Sequence, residues 1–126
     1  RVVESLPATP WLVGSAITGV PRNLATLVAT LRPMAGVTLT ATGRAVGRYA
    51  INQPSATSAA TTYGGYRTLD LMASYDVRGA NRQRWFVQLT NVTDLRYATS
   101  AGITGGTPTY NPGAPRLITL GTSLSF

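Results

Sequence analysis

The chain contains no cysteine and no histidine. These absences exclude disulfide frameworks, thiol nucleophiles, histidine-based catalytic triads and zinc sites of the usual ligand types from this chain. Its 126 residues include only four carboxylates, Glu4, Asp70, Asp76 and Asp94. Nothing in their spacing places two of them as an acid–base pair. We therefore expect no catalysis, no metal site and no cofactor.

Charged residues are also scarce. They make up 12% of the chain, about half of the roughly 25% that is usual for soluble proteins. The net charge is nevertheless +7, because eleven arginines and no lysines face four acids. Such a surplus raises nucleic acid as a partner. The arginines are scattered singly or at predicted strand ends, without a basic arm or recognition helix, so we predict no nucleic-acid binding.

No run of 18 or more apolar residues exists, so no transmembrane helix is predicted. Instead, apolar residues alternate with polar ones. In residues 116–126, Ile118, Leu120, Thr122 and Leu124 share one predicted strand face, and small, mostly polar residues share the other. A strand of about ten residues with one apolar face, ending on Phe126, is typical of the last strand of an outer-membrane β-barrel.

Alternation predicts further strands along the chain. The predicted strands cover residues 22–32, 37–49, 65–77, 84–92 and 116–126, preceded by the end of another at 1–5. Proline, glycine and polar residues predict loops at 6–21, 33–36, 51–64, 78–83 and 93–115. The sequence therefore predicts an all-β, antiparallel segment of a transmembrane barrel.

The predicted connections alternate between long and short, as do the extracellular loops and periplasmic turns of bacterial outer-membrane barrels. With the C-terminus on the periplasmic side, Tyr75, Trp85 and Phe126 lie near the periplasmic boundary and Tyr49 near the outer one. Amphipathic aromatic side chains are enriched at these two levels. We therefore expect an integral outer-membrane location.

Several segments resemble those of one family. Residues 91–97, Asn-Val-Thr-Asp-Leu-Arg-Tyr, resemble the Asn-Leu-x-Asp-x-x-Tyr segment before the last loop of TonB-dependent outer-membrane receptors. Residues 112–116, Pro-Gly-Ala-Pro-Arg, resemble the Pro-Gly-x-Pro-Arg that introduces their last strand, and Phe126 resembles their terminal aromatic. Residues 19–23, Gly-Val-Pro-Arg-Asn, are similar to a Val-Pro-Arg-His segment of the siderophore-receptor branch.

The resemblance implies that residues 1–126 are a fragment, the last five to six strands of a barrel of about 22 strands with a separate N-terminal plug. It implies TonB-dependent uptake of a ferric siderophore or a similar large chelate. The implied partners are outer-membrane lipid, the plug and remaining strands, the TonB energy-coupling complex and the barrel-assembly machinery.

Roles for single residues follow from these predictions. The candidate ligand-binding residues are Trp11, Arg48, Tyr63, Tyr97 and Tyr110. The candidate assembly signal consists of Leu120, Leu124 and Phe126. The residues of the family segments that we expect to be structural are Pro21, Arg22, Asn91, Asp94, Tyr97, Pro112, Gly113, Pro115 and Arg116. For Asp94 in particular, capping of backbone groups at a strand end is the simplest role.

Two alternatives share the same alternation. One is a different bacterial barrel, of the porin or autotransporter type. The other is a soluble β-sandwich binding module, in which the apolar faces pack against a second sheet.

Overall fold

The computed structural model describes residues 17–79 and 82–125. The predictions for Trp11, for Phe126 and for a strand end at 1–5 lie outside the described residues.

Five long strands form one sheet. Within it, each long strand lies beside the next long strand along the chain. They are β1 (Leu24–Leu31), β2 (Val37–Val46), β5 (Tyr66–Val77), β6 (Arg82–Thr90) and β9 (Leu117–Ser125). Four shorter strands, β3 (Tyr49–Ala50), β4 (Thr62–Tyr63), β7 (Ala98–Thr104) and β8 (Thr107–Pro112), form two small sheets. The prediction of an all-β chain with antiparallel sheets is confirmed for the described residues.

Within the described part of the chain, the five-stranded sheet is open, because β1 and β9 each have one neighbour only. Among residues 17–79 and 82–125 there is no helix, and hence none long and apolar enough to cross a membrane.

The register confirms the apolar face predicted for β9 and shows which residues of β5 and β6 lie beside it. Tyr75 of β5 lies opposite Trp85 of β6, which lies opposite Thr122 of β9. Because side chains alternate across a sheet, the odd-numbered residues of β5 and β6 share one face with the even-numbered residues of β9.

The connection predicted as a loop at 93–115 contains two strands, β7 and β8. Residues 98–112 form a hairpin in which Thr104 pairs with Thr107. Its two turn residues, Gly105 and Gly106, have φ values of +57° and +80°. This two-residue turn with positive φ matches the right-handed twist of hairpin strands, and glycine adopts it without steric cost. In the predicted loop at 51–64, β4 likewise pairs with β3.

The chain divides into two compact units. The first, the loop unit, comprises the described residues of 17–25, 45–66 and 96–113. Its buried apolar residues are Tyr49, Ala50, Ile51 and Ala98.

The second, the sheet unit, comprises the described residues of 26–44, 67–95 and 114–125. Ser74 and Asn91 are its buried polar residues, whereas most of its large apolar side chains are exposed. The sheet unit therefore has little apolar core of its own among the described residues.

Candidate functional site

One face of β5, β6 and β9 is apolar over three consecutive rows of the register. The rows are Leu71–Leu89–Ile118, Ala73–Val87–Leu120 and Tyr75–Trp85–Thr122. We call this surface the apolar face. Ile118 and Leu120 are 65% and 77% exposed, and Trp85 is 53% exposed. The sheet thus presents a continuous apolar surface, which is not covered by any described part of the chain.

The opposite face of the same three strands, the polar face, has a different chemistry. Its rows are Met72–Gln88–Thr119, Ser74–Phe86–Gly121 and Asp76–Arg84–Ser123. Two hydrogen bonds join Arg84 to Asp76, from Nε to Oδ1 at 2.6 Å and from Nη2 to Oδ2 at 3.1 Å. The two faces therefore differ because apolar and polar side chains alternate along each strand.

Of the predicted assembly residues, Leu120 lies on the apolar face, and Leu124 lies on the same side of β9. They are 77% and 52% exposed. Leu124 lies one row beyond Trp85 and Thr122, towards the end of the sheet where the connections are short. Phe126, the third predicted residue, lies outside the described residues.

Asn91 organises the connection from β6 to β9. It is 1% exposed and has a φ of +50°, a left-handed conformation in which asparagine is enriched among non-glycine residues. Its side-chain amide donates to the carbonyl oxygens of Leu95 and Ala114, at 2.9 and 3.0 Å, and its Oδ1 accepts from the Leu95 N–H at 3.0 Å. Its backbone N–H donates to Oδ1 of Asp70 at 2.8 Å. Asn91 therefore joins β5 and the start of the connection to the segment before β9.

Asp94 makes a second link between the same segments. Its N–H donates to the Asn91 carbonyl at 2.9 Å, and its Oδ1 accepts from the Arg116 N–H at 3.3 Å. The Arg116 guanidinium lies 3.7 Å from Asp94 Oδ2, with both side chains about half exposed. Exposed pairs of this kind contribute about 0.2–1 kcal/mol. The Asp94 side chain thus satisfies one backbone group next to β9, the Arg116 N–H.

Tyr97 and Gly113 hold together the two ends of the hairpin. The Gly113 N–H donates to the Tyr97 carbonyl at 2.8 Å, and the Tyr97 ring lies directly against Gly113, where a Cβ would collide with it. Pro112 ends β8, and Pro115 lies two residues before β9. Since proline presets its own φ, both restrict the return of the chain to the sheet.

The loop unit gathers five of the six tyrosines of the chain. Tyr63 contacts Tyr49 and Tyr110, with ring centroids 5.4 and 6.1 Å apart, and Tyr66 contacts Tyr97 at 4.4 Å. The Tyr63 hydroxyl oxygen accepts a hydrogen bond from the Ala98 N–H at 2.8 Å. These side chains link β3, β4, the start of β5 and the hairpin.

Tyr49 is the most buried of these tyrosines, at 6% exposure, and its hydroxyl makes no hydrogen bond with a described residue. Burial raises the pKa of this hydroxyl, and Tyr63 and Tyr66 act in the same direction. The nearby Ala101 backbone acts in the opposite direction and lowers this pKa, although it forms no hydrogen bond with the hydroxyl. Because an unperturbed tyrosine has a pKa of about 10 and is already neutral at physiological pH, the raised pKa only extends the pH range over which Tyr49 stays neutral.

The predicted ligand-binding residues are only partly brought together. Tyr63 and Tyr110 are neighbours, and Tyr110 is 55% exposed. Tyr97 packs on Tyr66 instead. Arg48 is exposed and is positioned through its backbone, since its carbonyl accepts from the Arg22 N–H at 3.1 Å.

Arg22 follows Pro21. The backbone carbonyl of the next residue, Asn23, accepts a hydrogen bond from the Gly47 N–H at 2.7 Å. This predicted family segment therefore runs beside the chain that follows β2. Trp11, the remaining predicted ligand residue, lies outside the described residues.

Three residues that take part in these contacts were not predicted as site residues: Tyr49, Tyr66 and Asp70. Tyr49 lies beside Tyr63 through the pairing of β3 with β4, whereas Tyr66 contacts Tyr97. Asp70 is 21 residues from Asn91 in the sequence. For Tyr49 and Tyr66, the sequence offered one indication of a role in the site, which is that tyrosines are frequent near the predicted loops. In the described residues, no group of three or more acidic side chains could hold a metal ion.

Comparisons with protein-family models, with curated proteins and with solved structures found no match to this chain.

Proposed function

We propose that the chain is part of the wall of an outer-membrane β-barrel, with membrane lipid against its apolar face and an aqueous lumen against its polar face. The observation that carries this proposal is the exposed apolar face of β5, β6 and β9. Transmembrane barrel strands alternate in this way, with apolar side chains towards lipid and polar side chains towards the lumen.

Exposure of the apolar face to water is costly. Complete burial of a leucine, isoleucine or valine side chain is favourable by about 1.5–3 kcal/mol. Leu71, Val87, Ile118 and Leu120 are between 39% and 77% exposed. A hydrocarbon phase removes this area from water without a second protein layer.

Two further features support the proposal. Tyr75 and Trp85 lie side by side near the end of the apolar face where the connections are short. Aromatic side chains with a polar tip are enriched at the boundary between lipid and water. In addition, the connection from β5 to β6 has four residues, 78–81, whereas the connection from β6 to β9 spans 91–116, as in barrels with short periplasmic turns and long extracellular loops.

Within this class, we propose the C-terminal portion of a TonB-dependent receptor of the siderophore branch, rather than a porin or an autotransporter. The support is the resemblance of residues 91–97 and 112–116 to family segments, together with the contacts between them. Asn91 bonds to Ala114, and Asp94 to Arg116, so the two segments act as one structural joint.

The proposed activity is gated uptake of a ferric siderophore or a similar chelate, without catalysis. The plug and the other strands complete the channel, the TonB complex supplies energy, and the barrel-assembly machinery inserts the protein. Tyr63 and Tyr110 are the proposed aromatic contacts on the loop side, where they adjoin each other. Growth of a receptor-deficient strain on single siderophores under iron limitation identifies the substrate.

The barrel proposal is tested by expressing residues 1–126 without detergent. We expect aggregation in water and dispersal in non-ionic detergent, because the apolar face and both edges of the sheet have no partner among the described residues. A monodisperse, cooperatively unfolding protein in plain buffer supports the soluble β-sandwich and refutes the barrel.

A further inference from the structure

The polar face carries a concentration of positive charge at its short-connection end. Arg32, Arg78, Arg82 and Arg84 line two adjoining cavities there, and Asp76 is the one acidic residue among the described lining residues. Four arginines and one aspartate leave a net charge of +3. We call this feature the arginine groove.

The two cavities lie on either side of the Arg84–Asp76 ion pair. One has a volume of about 600 Å³ and extends over Arg82, Ser123 and Ser125. The other has a volume of about 540 Å³ and extends towards Arg32 and Thr38. Arg78 lines both cavities, so the two form one continuous groove.

Most of the charge in the groove is not neutralised within the described residues. The ion pairs there join Arg84 to Asp76 and Arg116 to Asp94. Arg32, Arg78 and Arg82 take part in neither pair, and all three are exposed. Their guanidinium groups and the hydroxyls of Ser123 and Ser125 offer several hydrogen-bond donors. Among the described lining residues, Asp76 is the one carboxylate that competes for them.

The shape of the groove indicates what kind of anion it binds. Its lining comes from the ends of β2, β5, β6 and β9, so it crosses four strands. Three inter-strand spacings of about 4.8 Å make it about 14 Å long. An extended polypeptide covers this distance with about four residues. A single phosphate or carboxylate occupies only a small part of it.

We infer that the arginine groove binds an extended, acidic polypeptide segment that lies across the strand ends on the polar face. Carboxylates on one side of that segment bind Arg78 and Arg82, and a further carboxylate reaches Arg32. The Arg84–Asp76 pair shows the same guanidinium–carboxylate chemistry within the site, with two hydrogen bonds. This inference concerns the polar face and requires neither lipid contact nor a siderophore.

The test uses the 126-residue chain in non-ionic detergent and a fluorescein-labelled peptide with glutamate at three alternate positions. Binding is measured by fluorescence anisotropy, beside a matched peptide with glutamine at the same positions. We expect saturable binding of the glutamate peptide that weakens with salt, and at least about tenfold weaker binding of the glutamine peptide. No binding of the glutamate peptide up to about 1 mM overturns the inference.

Substitutions then locate the site. Each exposed charge contributes modestly, so Arg78→Gln is expected to weaken binding about two- to fivefold, and the triple change of Arg32, Arg78 and Arg82 to glutamine more than about tenfold. Asp76→Asn is expected to strengthen binding, because it removes the competing carboxylate. The control is Arg67→Gln, which removes the same charge near the other end of β5 and is expected to change binding less than about twofold. If Arg67→Gln and Arg78→Gln weaken peptide binding equally, the assignment of the binding site to the arginine groove is overturned.

Competition distinguishes a peptide site from a simple anion site. We expect sodium phosphate to displace the peptide no better than sodium chloride of the same ionic strength. Displacement by phosphate at clearly lower ionic strength identifies a compact oxyanion site and overturns the assignment to a peptide. Whether the apolar face contacts lipid affects none of these outcomes.

Discussion

Replacement of Leu120 by arginine separates a lipid-facing surface from a water-facing one. Leu120 lies in the middle of β9, opposite Val87, and is 77% exposed. In a membrane barrel, an arginine on the lipid face near the midplane costs about 2–4 kcal/mol. This corresponds to a reduction of about 30- to 700-fold in the equilibrium constant for folding.

In water the same change has a different expected result. Substitutions at exposed positions away from special features usually alter the free energy of unfolding by no more than about 0.5 kcal/mol. A soluble protein with Leu120 exposed would therefore tolerate the arginine and gain solubility. The two interpretations differ by at least about 1.5 kcal/mol, which a denaturant titration resolves.

The matched control is Thr119→Arg. Thr119 is the preceding residue on β9, is also exposed, and lies on the polar face opposite Gln88. The same side chain is thus introduced 3–4 Å along the strand but towards the proposed lumen. We expect Thr119→Arg to change stability by less than about 1 kcal/mol, because a lumen-facing arginine stays hydrated.

The assay is guanidinium unfolding of the intact gene product in phospholipid vesicles, followed by tryptophan fluorescence. We expect the Leu120→Arg variant to unfold at a clearly lower denaturant concentration than the Thr119→Arg variant. Equal midpoints for the two variants, or a lower midpoint for Thr119→Arg, would refute the assignment of the apolar face to lipid.

Three further predictions concern other parts of the chain. Asn91→Ala removes three side-chain hydrogen bonds from a buried residue with positive φ, and is expected to lower the free energy of unfolding by about 2–4 kcal/mol; a loss below about 1 kcal/mol contradicts the role of Asn91 as a joint. Gly121→Ala places a Cβ against the Phe86 ring, so we expect a loss of about 1–3 kcal/mol that Phe86→Leu partly restores; the absence of any restoration argues against that contact. Deletion of Phe126 from the intact protein is expected to lower its amount in the outer-membrane fraction, and unchanged surface levels contradict an assembly role.

The five long strands and the apolar face of β9 could be predicted because alternation is a local property. Leu120 differs from Thr119 in polarity, and each neighbouring pair repeats that difference. Strand ends were less accurate. The strand predicted at 37–49 ends at Val46, and the one predicted at 84–92 begins at Arg82 and stops before Asn91. At Asn91 the positive φ ends the extended conformation.

The hairpin of β7 and β8 was missed for a physical reason. All of β8 is exposed, and β7 is buried only at Ala98 and half-buried at Ala101 and Gly102, so neither strand carries the repeated apolar pattern that marks a strand in a sequence. Pro108 and Pro112, which lack an N–H, and several glycines also favour a loop from sequence. The pair Gly105–Gly106 was the available signal, since it suits a two-residue hairpin turn.

The candidate site was predictable only in part. Asn91 and Asp94 could be named from the resemblance, but their partners are distant in sequence. Ala114 and Asp70 are 23 and 21 residues from Asn91. The arginine groove depends likewise on sheet pairing, because Arg84 meets Asp76 only through the register of β5 and β6. Such contacts are properties of the fold and not of local composition.

The central claim is that the apolar face contacts hydrocarbon, and spin-label accessibility along β9 tests it most directly. The chain has no cysteine, so single cysteines at positions 118–124 can each carry one nitroxide label. In vesicles, we predict period-two accessibility: labels at 118, 120, 122 and 124 collide with oxygen dissolved in the lipid, and labels at 119, 121 and 123 with a water-soluble nickel complex. Equal access of the nickel complex to both sets would contradict the claim.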